Sequence, residues 1–157
     1  MAKKFYLTKE GLERLKKEYE ELRKLKKVKT TGEKPEILHS EDLNPEYLAM
    51  QEDLLFLDFR LRELENILKN AQLIKPPPKE KHNIVDLGAK VTLEDEEGKI
   101  NEFMIVGSLE ANPSEGKISY ESPVGKALLG HKIGEKVIIV SPIKVIYKIK
   151  EIKYRLD

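Results

Sequence analysis

Between residues 45 and 71 the apolar side chains fall on one strip. Tyr47, Met50, Leu54, Leu57, Leu61, Leu64 and Leu68 step by 3, 4, 3, 4, 3 and 4, the seam of a heptad repeat, and predict a helix from Pro45 to about Ala71. At 1.5 Å per residue that helix is a rod of roughly 40 Å. Leu55, Phe56 and Phe59 lie beside the seam and widen the apolar face toward an expected third contact. Upstream, Leu12, Leu15, Tyr19 and Leu22 recur at the same spacing behind Thr8, a good N-cap, and predict a helix from about Lys9 to about Thr30. Leu25 and Val28 continue this second strip less regularly. Gly32 and Pro35 should end or kink the helix near Thr31, because Pro costs about 3 kcal/mol inside a helix and Gly about 1. Two such helices joined by a short turn predict an antiparallel coiled-coil hairpin. A parallel, dimerising coiled coil is the competing arrangement, and the Gly, Pro and Asn-Pro signals between the helices disfavour it.

The turn itself is acidic. Glu36, Glu41, Asp42 and Glu46 crowd the stretch from Glu36 to Tyr47, with Glu33 just upstream and His39 inside it. Asn44-Pro45 is a strong helix start, since Asn caps well and Pro lacks the N–H that would have no partner there. Immediately before the turn stand five cations, Arg23, Lys24, Lys26, Lys27 and Lys29. Taken alone they read as a solvated helix end, because cations near a C-terminus suit the helix dipole.

After residue 75 the period changes. Pro76-Pro77-Pro78 with Lys79-Glu80-Lys81 predicts a stiff, polar connector over residues 76–83, separating a hairpin domain (1–75) from a second domain (84–157). Ala89–Leu93 and Ile100–Val106 flank Asp95-Glu-Glu-Gly98 and predict a β-hairpin. Lys117–Tyr120, Glu135–Val140 and Lys144–Leu156 read as further strands, and Ser122-Pro123 as the cap of a short helix ending at Gly130. The expected fold class is α+β, a helical hairpin followed by a mostly antiparallel sheet with one short helix.

Composition trims the functional classes. The chain has no cysteine, which removes thiolate chemistry and disulfides. With 29 basic and 28 acidic residues the net charge is +1, which argues against a nucleic-acid binder held by bulk positive charge. No apolar run reaches the roughly 18 residues of a membrane span, so a soluble cytoplasmic protein without membrane contact is expected. A prolyl isomerase pocket needs an aromatic lining, and the second half has no Trp and only Phe103 among its Phe residues. A generic coiled-coil adaptor predicts a stable dimer through residues 47 to 68.

Several blocks, in order, resemble the bacterial Gre transcript-cleavage factors (GreA and GreB) over nearly the whole chain: Tyr6-Leu-Thr-Lys-Glu-Gly11, Asn44-Pro-Glu-Tyr47, Asn70-Ala-Gln-Leu-Ile74, Ile105-Val-Gly107, Glu110-Ala111, Glu115-Gly-Lys-Ile-Ser119, Ser122-Pro123, Ala127-Leu-Leu-Gly130 and Gly134. The resemblance implies a finger that enters the secondary channel of RNA polymerase, carried by an FKBP-like domain that docks outside it, around Ser122 and Pro123. It implies that acidic tip residues help hold a Mg²⁺ ion shared with the polymerase active centre, at the 3′ end of the nascent RNA. The factor would act as a monomer that stimulates the polymerase's own nuclease rather than as an enzyme. It also turns Arg23, Lys24, Lys26, Lys27 and Lys29 into a candidate RNA or polymerase contact.

The tip departs from the family pattern, which reads approximately Gly-Asp-Leu-x-Glu-Asn-Ala-Glu-Tyr against Glu41-Asp-Leu-Asn-Pro-Glu-Tyr47 here. With a two-residue gap at the tip, Asp42-Leu43 matches the family Asp-Leu and the first family Glu is deleted. With the gap upstream, Ser40 and Leu43 fall under the two functional positions. Asp42 and Glu41 are the expected catalytic and metal-directed pair, with Glu46 as a further metal-directed residue. A Gre-like channel binder that does not cleave, and inhibits or modulates synthesis, is the alternative function.

Overall fold

A computed structural model describes residues 3–31, 45–140 and 143–154, and no helix among them is long and apolar enough to cross a membrane. The chain divides into two compact units, one of residues 12–70 and one of residues 3–11 with 71–157. The N-terminal strand and residues 71–75, which the sequence reading gives to the hairpin domain, thus belong with the C-terminal unit.

The helical unit is built from α1 (Lys9–Thr31) and α2 (Pro45–Lys69). Along α2 the seam is buried at Leu57, Leu61 and Leu64 and half-buried at Tyr47, Met50 and Leu54. Ile67, one position before the expected Leu68, takes the buried place in the last turn. Along α1 the strip Leu12, Leu15, Tyr19, Leu22 is half-buried, and the same spacing continues through Lys26 and Lys29. Leu25 and Val28, expected to extend the strip, are exposed, because they sit one step, about 100°, off its direction. Leu55, Phe56 and Phe59 meet no third element: they are 68%, 73% and 70% exposed.

Polar contacts fix the antiparallel register of the two helices. Arg60 grips Glu18 with two parallel bonds, Nε to Oε1 at 2.8 Å and Nη2 to Oε2 at 2.9 Å, the fork geometry that makes Arg–carboxylate pairs directional. Tyr19 Oη donates to Glu65 at 3.0 Å, and Lys26 and Lys29 reach Asp58 and Asp53 at 2.5 and 3.4 Å. Partners early in α1 are late in α2, so the chain reverses between them as expected.

The other unit holds a five-stranded sheet in the order β5-β4-β3-β7-β6, with β3 Ala89–Glu94, β4 Ile100–Val106, β5 Lys117–Ser119, β6 Lys136–Val140 and β7 Lys144–Tyr154. Three pairings are antiparallel, and β4 with β5 is parallel. Asp95 Oδ1 accepts from the amides of Glu97 and Lys99 at 2.9 and 2.8 Å, which closes the expected β3–β4 turn. Alternate residues Val91, Leu93, Val137, Ile139 and Ile149 enter one core with Leu128 of α3 (Pro123–Leu128). Missing from the sequence reading is a second, two-stranded parallel sheet of β1 (Phe5–Leu7) and β2 (Ala71–Leu73).

Candidate functional site

The helical pair stops at Thr31 of α1 and resumes at Pro45 of α2. Glu36, His39, Glu41 and Asp42, with the Asn44 cap and the Gly32 and Pro35 breaks, lie outside the described residues. Glu46 occupies the first turn of α2, exposed, where a carboxylate favours the positive end of the helix dipole. Among the described residues no group of three or more His, Cys, Asp or Glu is arranged to hold a metal ion.

The five-cation run separates into two sets. Lys26 and Lys29 continue the seam toward α2 and end on Asp58 and Asp53. A lysine manages this by laying its methylene stem along the apolar strip while its ammonium stays in water. Arg23 lies over the Tyr19 ring, 5.7 Å from its centroid, and 4.0 Å from Glu20, while Lys24 and Lys27 are exposed. The outward set is thus Arg23, Lys24 and Lys27. Tyr19 is held in its protonated form above its usual range by its hydrogen bond to Glu65.

Thr8 and the first residues of α1, up to Gly11, belong to the sheet unit. Thr8 caps the helix, its Oγ1 accepting from the amide of Gly11 at 3.1 Å. Glu110 then accepts from both Thr8 N and Thr8 Oγ1, each at 2.6 Å. Its carboxylate lies so close to Gly11 that a Cβ there would overlap it, and a Cβ on Gly107 would overlap the Tyr6 carbonyl. Glycine at 11 and 107 is therefore a matter of space. Sequence reasoning finds the Thr8 cap but misses the carboxylate behind it; the Glu110-Ala111 block is the only sequence signal that marks it.

After β5, Ser122 caps α3. Its Oγ accepts from Gly125 N at 3.1 Å and donates to the Ser119 carbonyl at 2.7 Å. Pro123 fills the first helical position and is exposed, with Glu121 and Lys126 on either side. Gly125 lets the helix press onto Ser119, where a Cβ would overlap the carbonyl. The Ser122 hydroxyl is thus committed within the fold, and exposed surface here comes from Pro123 and its charged neighbours.

Residues 5–73 match the family model described as "Transcription elongation factor, N-terminal", and residues 80–154 match "Transcription elongation factor, GreA/GreB, C-term". The chain belongs to the GreA/GreB family of transcription elongation factors. The GreA of Thermomicrobium roseum is 43% identical over 138 residues, covering 87% of this chain and 88% of that one. The GreA of Clostridium acetobutylicum is 40% identical over 155 residues, covering 96% and 98%. The solved GreA factor homolog 1 (Gfh1) of Thermus thermophilus covers 96% of this chain and 99% of that one at 29% identity, with a TM-score of 0.43, too low for a whole-chain superposition to bear on function. In this GreA/GreB chain, the blocks at Thr8–Gly11, Gly107–Glu110 and Ser119–Gly125 all have a local structural reason: a cap, a close approach or both.

Proposed function

We propose that this elongation factor binds RNA polymerase, inserts its hairpin into the secondary channel and stimulates cleavage of backtracked nascent RNA so that arrested complexes resume. The observation that carries the reading is an antiparallel pair of helices, cross-linked by ion pairs as far as Lys29–Asp53 and joined by an acidic sequence, in a chain matching the GreA/GreB family through both halves. The protein acts as a cytoplasmic monomer and is not itself the catalyst.

In this reading Asp42, with Glu41 beside it, is offered to a Mg²⁺ ion in the polymerase active centre. Mg²⁺ is commonly held by one or two carboxylates plus substrate phosphates, so two donated oxygens complete a coordination shell that the polymerase and RNA begin. Asp42 and Glu41 would help hold that ion, which when bound would supply an activated water for cutting the RNA backbone. Glu46, in the first turn of α2, supports the start of the helix and is the further metal-directed residue of this reading. Arg23, Lys24 and Lys27 face RNA or polymerase, and the exposed surface around Pro123 docks on the enzyme's exterior.

The test is Asp42→Ala. It should abolish release of short 3′ fragments from a backtracked complex while polymerase binding persists, whereas undiminished cleavage removes Asp42 from the mechanism.

A further inference from the structure

Among the described residues β6 is an edge strand, paired only with β7. Directly opposite residues on two antiparallel strands project to the same face, and here the rungs are Lys136 with Lys148, Ile138 with Ile146, and Val140 with Lys144. Val137 and Ile139 alternate to the other face and are buried in the core. The outer face therefore carries three β-branched side chains on adjoining rungs, Ile138 at 54% and Val140 at 64% exposure with Ile146 half-buried between them. Lys136, Lys144 and Lys148 flank them on these rungs, and Glu94, Asp95 and Glu96 share a hollow with Lys136, Ile146 and Lys148. None of these lysines has an ion-pair partner among the described residues: Glu94, opposite Lys148 on β3, gives its carboxylate to Lys150 at 2.9 Å.

We propose that this β6–β7 edge is a docking strip for an extended protein segment that alternates apolar and acidic side chains. An edge strand offers a row of unpaired backbone N–H and C=O groups, a template for one more strand. An added strand repeats every two residues, so its apolar side chains would meet Ile138 and Val140 while acids between them reach the flanking lysines. A second copy of this chain is a poor occupant, because pairing β6 with itself brings two lysine-rich rims together. Single-stranded RNA is also a poor fit. Such sites stack bases on aromatic rings, and the one aromatic nearby, Tyr147, stands opposite Val137 and so projects to the core face.

The test uses the isotope-labelled full chain and two synthetic peptides, one alternating Val and Ile with Asp and Glu, the other carrying Lys at every acidic position. The acidic peptide should shift the amides of residues 136–140 and 144–148 and bind roughly tenfold or more tightly than the lysine peptide. Ile138→Ser should weaken it by a similar factor. The triple variant Lys136→Glu, Lys144→Glu, Lys148→Glu should reverse the preference between peptides, which holds the proposal to account even if Ile138→Ser unfolds. The proposal is overturned by an absence of shifts at these amides, by equal binding of both peptides, by tighter binding of a single-stranded RNA at the same amides, or by shifts that appear on raising the protein concentration alone.

Discussion

Tyr154 shows how one side chain records the packing around it. Its hydroxyl donates to the Ile84 carbonyl at 2.5 Å and its ring lies 4.9 Å from that of His82. Burial pushes its pKa up to about 12. A raised pKa means that folding favours the protonated form, so the associated stability is intact below about pH 10 and is lost as pH rises through 12. Tyrosinate absorbance should accordingly show a last titration near pH 12 that disappears in Tyr154→Phe; titration of all six tyrosines near pH 10 would refute the burial argument. In the same unit, Glu110→Gln leaves Thr8 a neutral partner and removes the negative charge from the start of α1. The expected loss is about 1 kcal/mol, read as a lower urea midpoint at unchanged slope. An unchanged midpoint would mean that the carboxylate is idle.

The helices show where a sequence pattern stops being readable. The seam of α2 is legible because every position is apolar, β3 because its residues alternate, and β4, β6 and β7 because they are rich in Val, Ile and other strand formers. In α1 the same spacing runs on into Lys26 and Lys29, where polar identity hides a seam position that only the facing Asp58 and Asp53 reveal. Leu25 and Val28 draw the eye instead and are exposed. β1 and β2, at three residues each, are too short to show a period, and their sheet joins segments more than 60 residues apart. Phe56 and Phe59 mislead in the opposite sense, since a large apolar side chain on a helix need not be covered. Replacing Lys26 and Lys29 together by Leu should raise the thermal midpoint of the helical signal, because exposed ion pairs contribute roughly 0–1 kcal/mol and burying apolar surface in a seam contributes more. A lowered midpoint would show that the lysine–aspartate pairs, and not packing, hold that part of the hairpin.

For the molecule as a whole, the sequence already separates the candidate site into a turn that bears the carboxylates and a scaffold that presents them. Its family resemblance identifies residue types at the tip, but no periodicity or composition says how Asp42 and Glu41 are directed, since a turn's geometry is set by its neighbours rather than by a repeat. The whole chain carries a net charge of +1, and Lys26 and Lys29 are tied to facing carboxylates, so the proposed affinity for the polymerase rests on placed contacts more than on bulk charge. The central claim is that a shortened acidic turn still serves cleavage, and it is tested by adding the purified protein with Mg²⁺ to a stalled elongation complex whose RNA 3′ end has backtracked. Release of short 3′ fragments followed by renewed extension is the predicted result; no fragments, together with slowed nucleotide addition, would contradict it.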